Sequence, residues 1–456
     1  MTDRPSAPAS TAGAREATPS GAAALASRGS VPIVLLVIFI DLLGFGVVLP
    51  MLPYLTAQYE VPAWMTSTFG ALHMSRGTNA VIVGLLSFNF NLFSFLASPL
   101  WGRLSDNVGR KPVLAFSLFG YSLAWTLFAF APTLGWLLMA RVLAGMAAAN
   151  VSTAHAYIAD VYPPEKRAKG MGLVGAAFGL GFTLGPAVGA GFMALGDRLS
   201  PSPDGLHHSH LALHLPVYVT MALSTIACLL AVFVLPESLP KELRGRKESH
   251  EVGLGLGRLL VAIRRPLLGP LLVSFFTVTF GFAVLESMFS EFNRAVLELP
   301  PNTNALVFSI IGLTIVIVQG GLIGRLTKAF GPWKVLFTGL LLEGLMLVNY
   351  GMVTGMTVLI TFSVIGAFGH SLCNPSILAL ISQQAADDER GGTMGLAGAS
   401  SALGRICGPI LGSVAWAWGG AAAAFASGGV VVLLALPLLM IAHKSHATAD
   451  TAQAVA

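Results

Sequence analysis

Five ionisable side chains stand inside otherwise apolar stretches of this sequence: Asp41, Arg141, Glu286, Glu343 and Arg405. Three acids and two bases held away from water can pair, or they can bind and release protons. A carboxyl group in an apolar surrounding keeps a proton more readily than in water and gives it up when wetted. Asp41 suits that role, and so do Glu343 and Glu286, with Arg141 as the cation beside them. The structural alternative is ion pairing, for example of Asp41 with Arg141. Arg405 could hold an anion or a substrate carboxylate, or pair with Glu343 or Glu286. His155 and His370 could relay a proton or simply bond within the packing. Gln319, Asn89, Asn91 and Asn374 could bond a polar ligand or bridge helices.

Such groups need elements that carry them out of water. The chain has 456 residues, 55% hydrophobic and only 10% charged, with mean hydropathy +0.76. A soluble domain carries roughly a quarter charged residues, so this composition is that of a lipid-embedded protein. Runs of about 20 apolar residues, each enough to cross a ~30 Å hydrocarbon layer, recur along the chain. Twelve spans are expected, at about 32–54, 79–101, 112–131, 134–158, 170–194, 211–235, 266–290, 303–324, 333–352, 356–383, 393–417 and 420–442. By a rise of ~1.5 Å per residue, Asp41 lies roughly 13 Å deep, Glu343 roughly 15 Å and Arg405 roughly 18 Å. Glu286 falls four residues from the outer end of the seventh span, where water could reach it.

Of the 26 Lys and Arg residues, 21 fall in the tails and in alternate loops. That asymmetry puts both termini and the long middle loop in the cytoplasm. It also accounts for the basic pI near 9.2 without a nucleic-acid partner. The three cysteines lie far apart within spans and read as small apolar residues. Residues 1–31 form a polar tail, read as disordered rather than as a transit peptide. Residues 32–237 and 266–443 are two bundles of six spans, 238–265 a cytoplasmic linker and 444–456 a second tail. Gly253, Gly255 and Gly257 in the linker follow no strand, so they read as flexible chain and not as a dinucleotide loop. The outer cluster His207, His208, His210 and His214 lacks companion ligands and reads as a solvated loop. No metal, cofactor or enzyme motif is expected.

The two bundles repeat. "GRLSDNVGRKPVL" from Gly102 and "GRLTKAFGPWKVL" from Gly324 align at an offset of 222, with Asp106 replaced by Lys328. "MGLVGAAFGLGFTLGPAVG" matches "MGLAGASSALGRICGPILG" at 10 of 19 positions with an offset of 223. Two matches at nearly one spacing make two parallel halves, with a binding cavity between them near the midplane. Gly181, Gly185, Pro186 and Gly189 strip side chains and one backbone donor from the fifth span, allowing close packing and a bend.

These stretches resemble a known family. "GRLSDNVGRKPVL" is similar to the signature loop of the major facilitator superfamily, and "GLGFTLGPAVGAG" to the antiporter motif of its drug:proton antiporters. "DLLGFGVVLPMLPYL" and "AYIAD" resemble the tetracycline-efflux branch. "IGLTIVIVQG" and "FAVLES" look like animal tetracycline-transporter-like proteins of the same superfamily. The resemblance implies an all-α membrane fold of twelve helices in the plasma or inner membrane. It implies a monomer that exchanges protons for small amphipathic molecules by alternating access and needs no cofactor. It gives Glu343 the place of an acid in the tetracycline pumps and Arg141 that of an arginine linked to proton transfer. It links the glycine motif to exchange and to sealing against leak. It makes Gly102, Asp106, Gly109, Arg110 and Asp160 a gate, with Arg110 meeting Asp160 and Asp106 facing the start of the eleventh helix, where the positive helix end favours an acid. Ala124 and Ile315 depart from an acid and a histidine of the tetracycline pumps, which puts tetracycline itself in doubt. An organic-anion uniporter or symporter with Arg405 as its contact is the nearest alternative, and a non-transporting membrane sensor a more distant one.

Overall fold

A computed structural model describes residues 31–72, 77–148, 150–163, 166–201, 209–241, 244–245, 256–384 and 390–455. The tail at 1–30, most of the linker, His207 and His208 lie outside the described residues. The described chain is helical throughout: α1 (Val31–Thr56), α2 (Ala63–Ala71), α3 (Thr78–Val108), α4 (Arg110–Ala129), α5 (Leu134–Ala147), α6 (Asn150–Val161), α7 (Arg167–Leu199) and α8 (His210–Phe233) in the first half. The second half holds α9 (Leu256–Ile263), α10 (Leu268–Ala295), α11 (Pro301–Phe330), α12 (Pro332–Tyr350), α13 (Met356–Gln383) and α14 (Arg390–Val455). Nine candidate membrane spans occur among the described residues.

The fourth expected span is two helices, α5 and α6, interrupted at Ala148, where ψ is 55°. The last two expected spans are one run of helix broken at Gly420, with φ 72° and ψ −168°. Several helices outrun the apolar stretch that foretold them. The seventh expected span, 266–290, is α10, which continues to Ala295. Charge in its last turns is neutralised locally: Arg294 grips Glu291 with Nε and Nη2 at 2.9 and 2.8 Å. A hydropathy boundary therefore falls short of the helix end.

The repeat is visible in packing. In the first half the fifth-span glycines lie against α1: a Cβ added at Gly185 would sit 2.7 Å from Gly46 Cα, and one at Gly189 would sit 2.7 Å from the Val47 carbonyl oxygen. In the second half the equivalent glycines of α14 lie against α10. A Cβ at Gly408 would meet the Ala283 Cβ and the Phe280 carbonyl oxygen, each at 2.8 Å. Removing side chains at this spacing lets the two backbones touch, the usual means of tight helix association in lipid.

Between the halves, α3 packs on α14 and α7 on α11. Among the described residues, side-chain hydrogen bonds join the halves at one face. There Asn304 Nδ2 donates to the Pro50 carbonyl at 2.6 Å, the Tyr54 hydroxyl to the Leu299 carbonyl at 2.7 Å, and Asn79 Nδ2 to Glu291 Oε2 at 2.7 Å. Glu291, Asn293 and Asn304 are all buried. At the other face, which carries the turns at Gly109 and Gly331 and is called the basic face below, added Cβ atoms at Gly391, Gly392, Gly395 and Gly398 would meet nothing within 4 Å. The polar clamp went unread in the sequence, where Arg294 was only a loop charge.

Hydrogen bonds to a charged acceptor contribute about 1.5–3 kcal/mol. Asn79→Ala is therefore expected to favour opening of the clamped face by about tenfold or more. The check is Ser287→Cys labelling by an impermeant thiol reagent from that face, in a background without native cysteines. Unchanged labelling would mean that Asn79 does not hold the face shut.

Candidate functional site

A cleft runs between the halves. Its wide part, ≈ 1340 Å³, lies between α3 and the first stretch of α14, with α9 alongside. A narrower part of ≈ 60 Å³ continues toward the clamped face. Asn91 and Arg405 line both parts, and Arg141 and Glu286 line the narrow one. Four residues singled out in the sequence thus meet on one surface.

Glu286 stands nine residues before the end of α10, with its side chain 14% exposed on the cleft. Arg405 Nη1 lies 4.0 Å from Glu286 Oε2, and the arginine side chain is 43% exposed in the cleft. Of the two partners considered for Arg405, Glu286 is the one it meets. Glu343 has a different one. His370 Nδ1 lies 3.1 Å from Glu343 Oε1, both residues are buried, and the Phe282 ring stacks on the imidazole at 4.0 Å. Glu343 Oε2 is buried with no hydrogen bond. His370 joins α13 to the acid of α12.

In the first half, Asp41 and Arg141 are both buried. The Arg141 guanidinium lies over the Trp125 and Phe128 rings, 5.1 and 4.8 Å from their centroids. Such cation–π contacts hold a desolvated cation by about 2 kcal/mol. Asp41 is buried on α1, and the Tyr121 hydroxyl is within electrostatic reach of both Asp41 and Arg141. Ala124 is buried, and Ile315 partly so.

The remaining amides divide. Asn91 donates to the Ser87 carbonyl at 2.8 Å and keeps its place on the cleft. Asn89 is half-buried and lines neither part of the cleft. Asn374 Oδ1 is buried without a hydrogen bond, one residue before Pro375. Gln319 is exposed on a π-helical segment, Val318–Leu322, inside α11. Such bulges are common at functional sites. His214 stacks on His210 at 3.9 Å, and no cluster able to hold a metal occurs among the described residues.

The turn network at the basic face differs from the expectation in one contact. Arg110 Nε donates to Asp160 Oδ2 at 2.9 Å, as anticipated. Asp106, expected to face the start of the eleventh helix, is instead 2.7 Å from Arg110 Nη1. The guanidinium four residues on is its ion-pair partner. Glu237, not singled out in the sequence, accepts from the Arg110 backbone N–H at 2.8 Å and the Lys111 N–H at 3.3 Å. Its charge sits at the start of α4, where a helix favours an anion. Gly109 (φ 118°) and Gly331 (φ 79°) both adopt the left-handed region, which glycine enters at little cost.

Two halves with repeat-related helix packing, joined at one face around a charged cleft, define a membrane transporter fold. The sequence model of the Major Facilitator Superfamily matches residues 34–334 and 320–454, and the chain belongs to that superfamily. It is a transporter and not an enzyme. Multidrug resistance protein 2 of Bacillus subtilis (strain 168) is 28% identical over 382 residues, covering 83% of this chain and 86% of that protein. The class C tetracycline resistance protein of Escherichia coli is 27% identical over 432 residues, covering 92% and 99%. The crystal structure of the human organic anion transporter MFSD10 (TETRAN) superposes with TM-score 0.67 at 26% identity, covering 91% of this chain and 99% of that one. The first two likenesses agree with the drug- and tetracycline-resistance resemblance read from the motifs.

Proposed function

We propose that this transporter is a proton-coupled efflux antiporter for small amphipathic organic compounds, working by alternating access. One observation carries the reading: the cleft between the halves is lined by the ion-paired Glu286 and Arg405 and by Arg141. Asp41 and Glu343 are buried within the halves behind it. Carboxylates at a site that substrate also enters are what competition between proton and substrate requires. The tightly joined face and the separated basic face are one of the two states such a cycle visits.

The proposal includes twelve crossings with both termini in the cytoplasm and a monomer in the plasma or inner membrane. Support comes from the non-helical backbone at Gly420, which leaves a long helical stretch of α14 on each side of it. The α5–α6 pair and α12 supply the others beyond the nine long apolar candidates. Purified protein in proteoliposomes with an internal pH dye is expected to move protons when tetracycline, ethidium or an amphipathic carboxylate dye is transported. Transport of such compounds without proton movement would remove the coupling.

A second reading, an organic-anion carrier indifferent to protons, is favoured by the 43% exposure of Arg405 in the cleft and by the likeness to the organic anion transporter. Under it, Arg405→Ala abolishes uptake of a carboxylate dye at every pH. Under the antiporter reading the same variant leaves proton movement driven by a cationic dye in place.

A further inference from the structure

Arg405 stands where the two parts of the cleft meet, for it lines both. Its ion-pair partner among the described residues is Glu286, and that contact is loose. Arg405 Nη1 lies 4.0 Å from Glu286 Oε2, beyond hydrogen-bonding distance, whereas Arg110 and Arg294 hold their carboxylates at 2.7 to 2.9 Å. The guanidinium keeps donors to spare, and its side chain is exposed in the cleft. Arg141 lines the narrow part as well. It is fixed over two aromatic rings, and its Nε is buried with no hydrogen bond. A buried donor left unmet costs free energy until something accepts from it. Among the described residues, the charged groups of the narrow part are thus two arginines and one glutamate, a net positive charge. The narrow part, ≈ 60 Å³, suits a small head group, and the wide part beside it is ≈ 1340 Å³. Gly398, Ala399 and Ala402 of α14 and Phe95 of α3 wall the wide part next to Arg405.

We infer that the cleft holds an anion site between Arg405 and Arg141, for the carboxylate or sulfonate head of an amphipathic compound, and that Glu286 opens this site by taking up a proton. The inference rests on the organic-anion reading and adds a proton to it. The antiporter reading for cations stands beside it, since a cation meets Glu286 in its charged form. An arginine fork grips a carboxylate with two parallel donors, and paired sulfonate oxygens can be gripped in the same way. Charged Glu286 competes for that fork. Once it takes a proton from the water of the cleft it is neutral, and the anion replaces it beside Arg405. Two bases face one negative charge before and after, so the net charge of the narrow part is unchanged. Without the proton, carboxylate and anion would crowd one guanidinium, and like charges repel more strongly where water is scarce. The apolar body of the compound lies in the wide part, against the small side chains of α14.

The groups around Glu286 come from every helix packed on α10. Arg405 of α14 is its ion-pair partner, and Arg141 of α5 shares the narrow part. His370 of α13 acts on it electrostatically and is bonded to Glu343 of α12. On α10 itself, Glu291 is held by Arg294 and Asn79. On α1, Tyr54 donates to the Leu299 carbonyl and Asp41 is buried. Arg103 and Asp106 of α3 and Arg325 and Lys328 of α11 fall near the basic-face ends of their helices. Arg258 and Arg265, on and just after α9, line the wide part. His370 is therefore the second titratable group that a test must separate from Glu286.

Isothermal titration calorimetry on the full chain in phosphatidylcholine nanodiscs tests this with no gradient present. The probe is 2-naphthalenesulfonate, whose charge is fixed across the range used. It is expected to bind at least about tenfold more tightly at about pH 5.5 than at about pH 8, the worth of a hydrogen bond to a charged group. Glu286→Gln should bind it at the higher pH as tightly as wild type does at the lower, with the pH dependence gone. Arg405→Ala should lose binding at both. His370→Gln should keep the wild-type pH dependence; if it is lost there instead, the proton is not on Glu286 and the proposal falls. A wild-type affinity that ignores pH overturns it, and so does a Glu286→Gln variant that titrates like wild type. Absence of binding at either pH overturns it as well. The wild-type comparison decides even where a variant fails to fold. Failure of antiport is read separately, as transport without proton movement in wild-type proteoliposomes.

Discussion

Asp41→Asn combined with Glu343→Gln is expected to reduce substrate-driven proton movement in proteoliposomes to that of empty vesicles. Both carboxyl groups are buried, one in each half of the molecule. The amides keep shape and most hydrogen bonding but take up no proton. Glu343→Gln retains an acceptor for His370, so the α12–α13 contact survives and a fold defect is not the expected outcome. Downhill substrate movement should persist, because neither residue lines the cleft. That split between lost coupling and retained transport is the signature to measure. Coupled transport that continues unchanged in the double variant would place the proton site elsewhere.

Arg110→Met is expected to have the largest effect on stability. The guanidinium is almost wholly buried and meets Asp106 at 2.7 Å and Asp160 at 2.9 Å. It also donates from Nη1 to the Ser105 hydroxyl at 3.0 Å. Removing one partner of a fully buried ion pair costs about 3–5 kcal/mol, and the cost here is smaller because Asp106 is 37% and Asp160 20% exposed, so water solvates the charges left behind. Two carboxylates of like sign would then face each other across the turn. Thermal unfolding of the purified protein should show a clear fall in midpoint. Arg110→Lys should recover part of it, since a lysine restores charge but not the forked geometry. A midpoint equal to wild type in Arg110→Met would mean that the network carries no stability.

The same network explains why the repeat reverses a charge. Asp106 pairs with Arg110, and the repeat-equivalent of Arg110 is Pro332. Asp160 corresponds in the same way to Gln383. With no arginine to answer, an acid at position 328 would have no partner, and Lys328 is exposed. The glycines remain because both turns adopt positive φ at Gly109 and Gly331. The reversed charge follows from a lost partner within the half, and a latch to the eleventh helix is not needed to explain it.

Much of this was legible before any coordinates. Apolar runs, the glycine spacing and the two-fold repeat are written along the chain, because helix formation and close packing depend on residues a few positions apart. The sequence alone therefore determined a helical membrane protein of two related halves, its superfamily and the buried acids and bases. Which charge meets which was decided by tertiary structure. His370 meets Glu343, Arg405 meets Glu286, and Asn79 reaches Glu291 across 212 positions of sequence. Each of those contacts depends on the rotation of one helix about its axis and its height against another. Hydropathy along a single helix holds neither quantity. Helix ends show the same limit: α10 runs on past the apolar stretch to Ala295, with Arg294 paired to Glu291, and Glu286 lines the cleft.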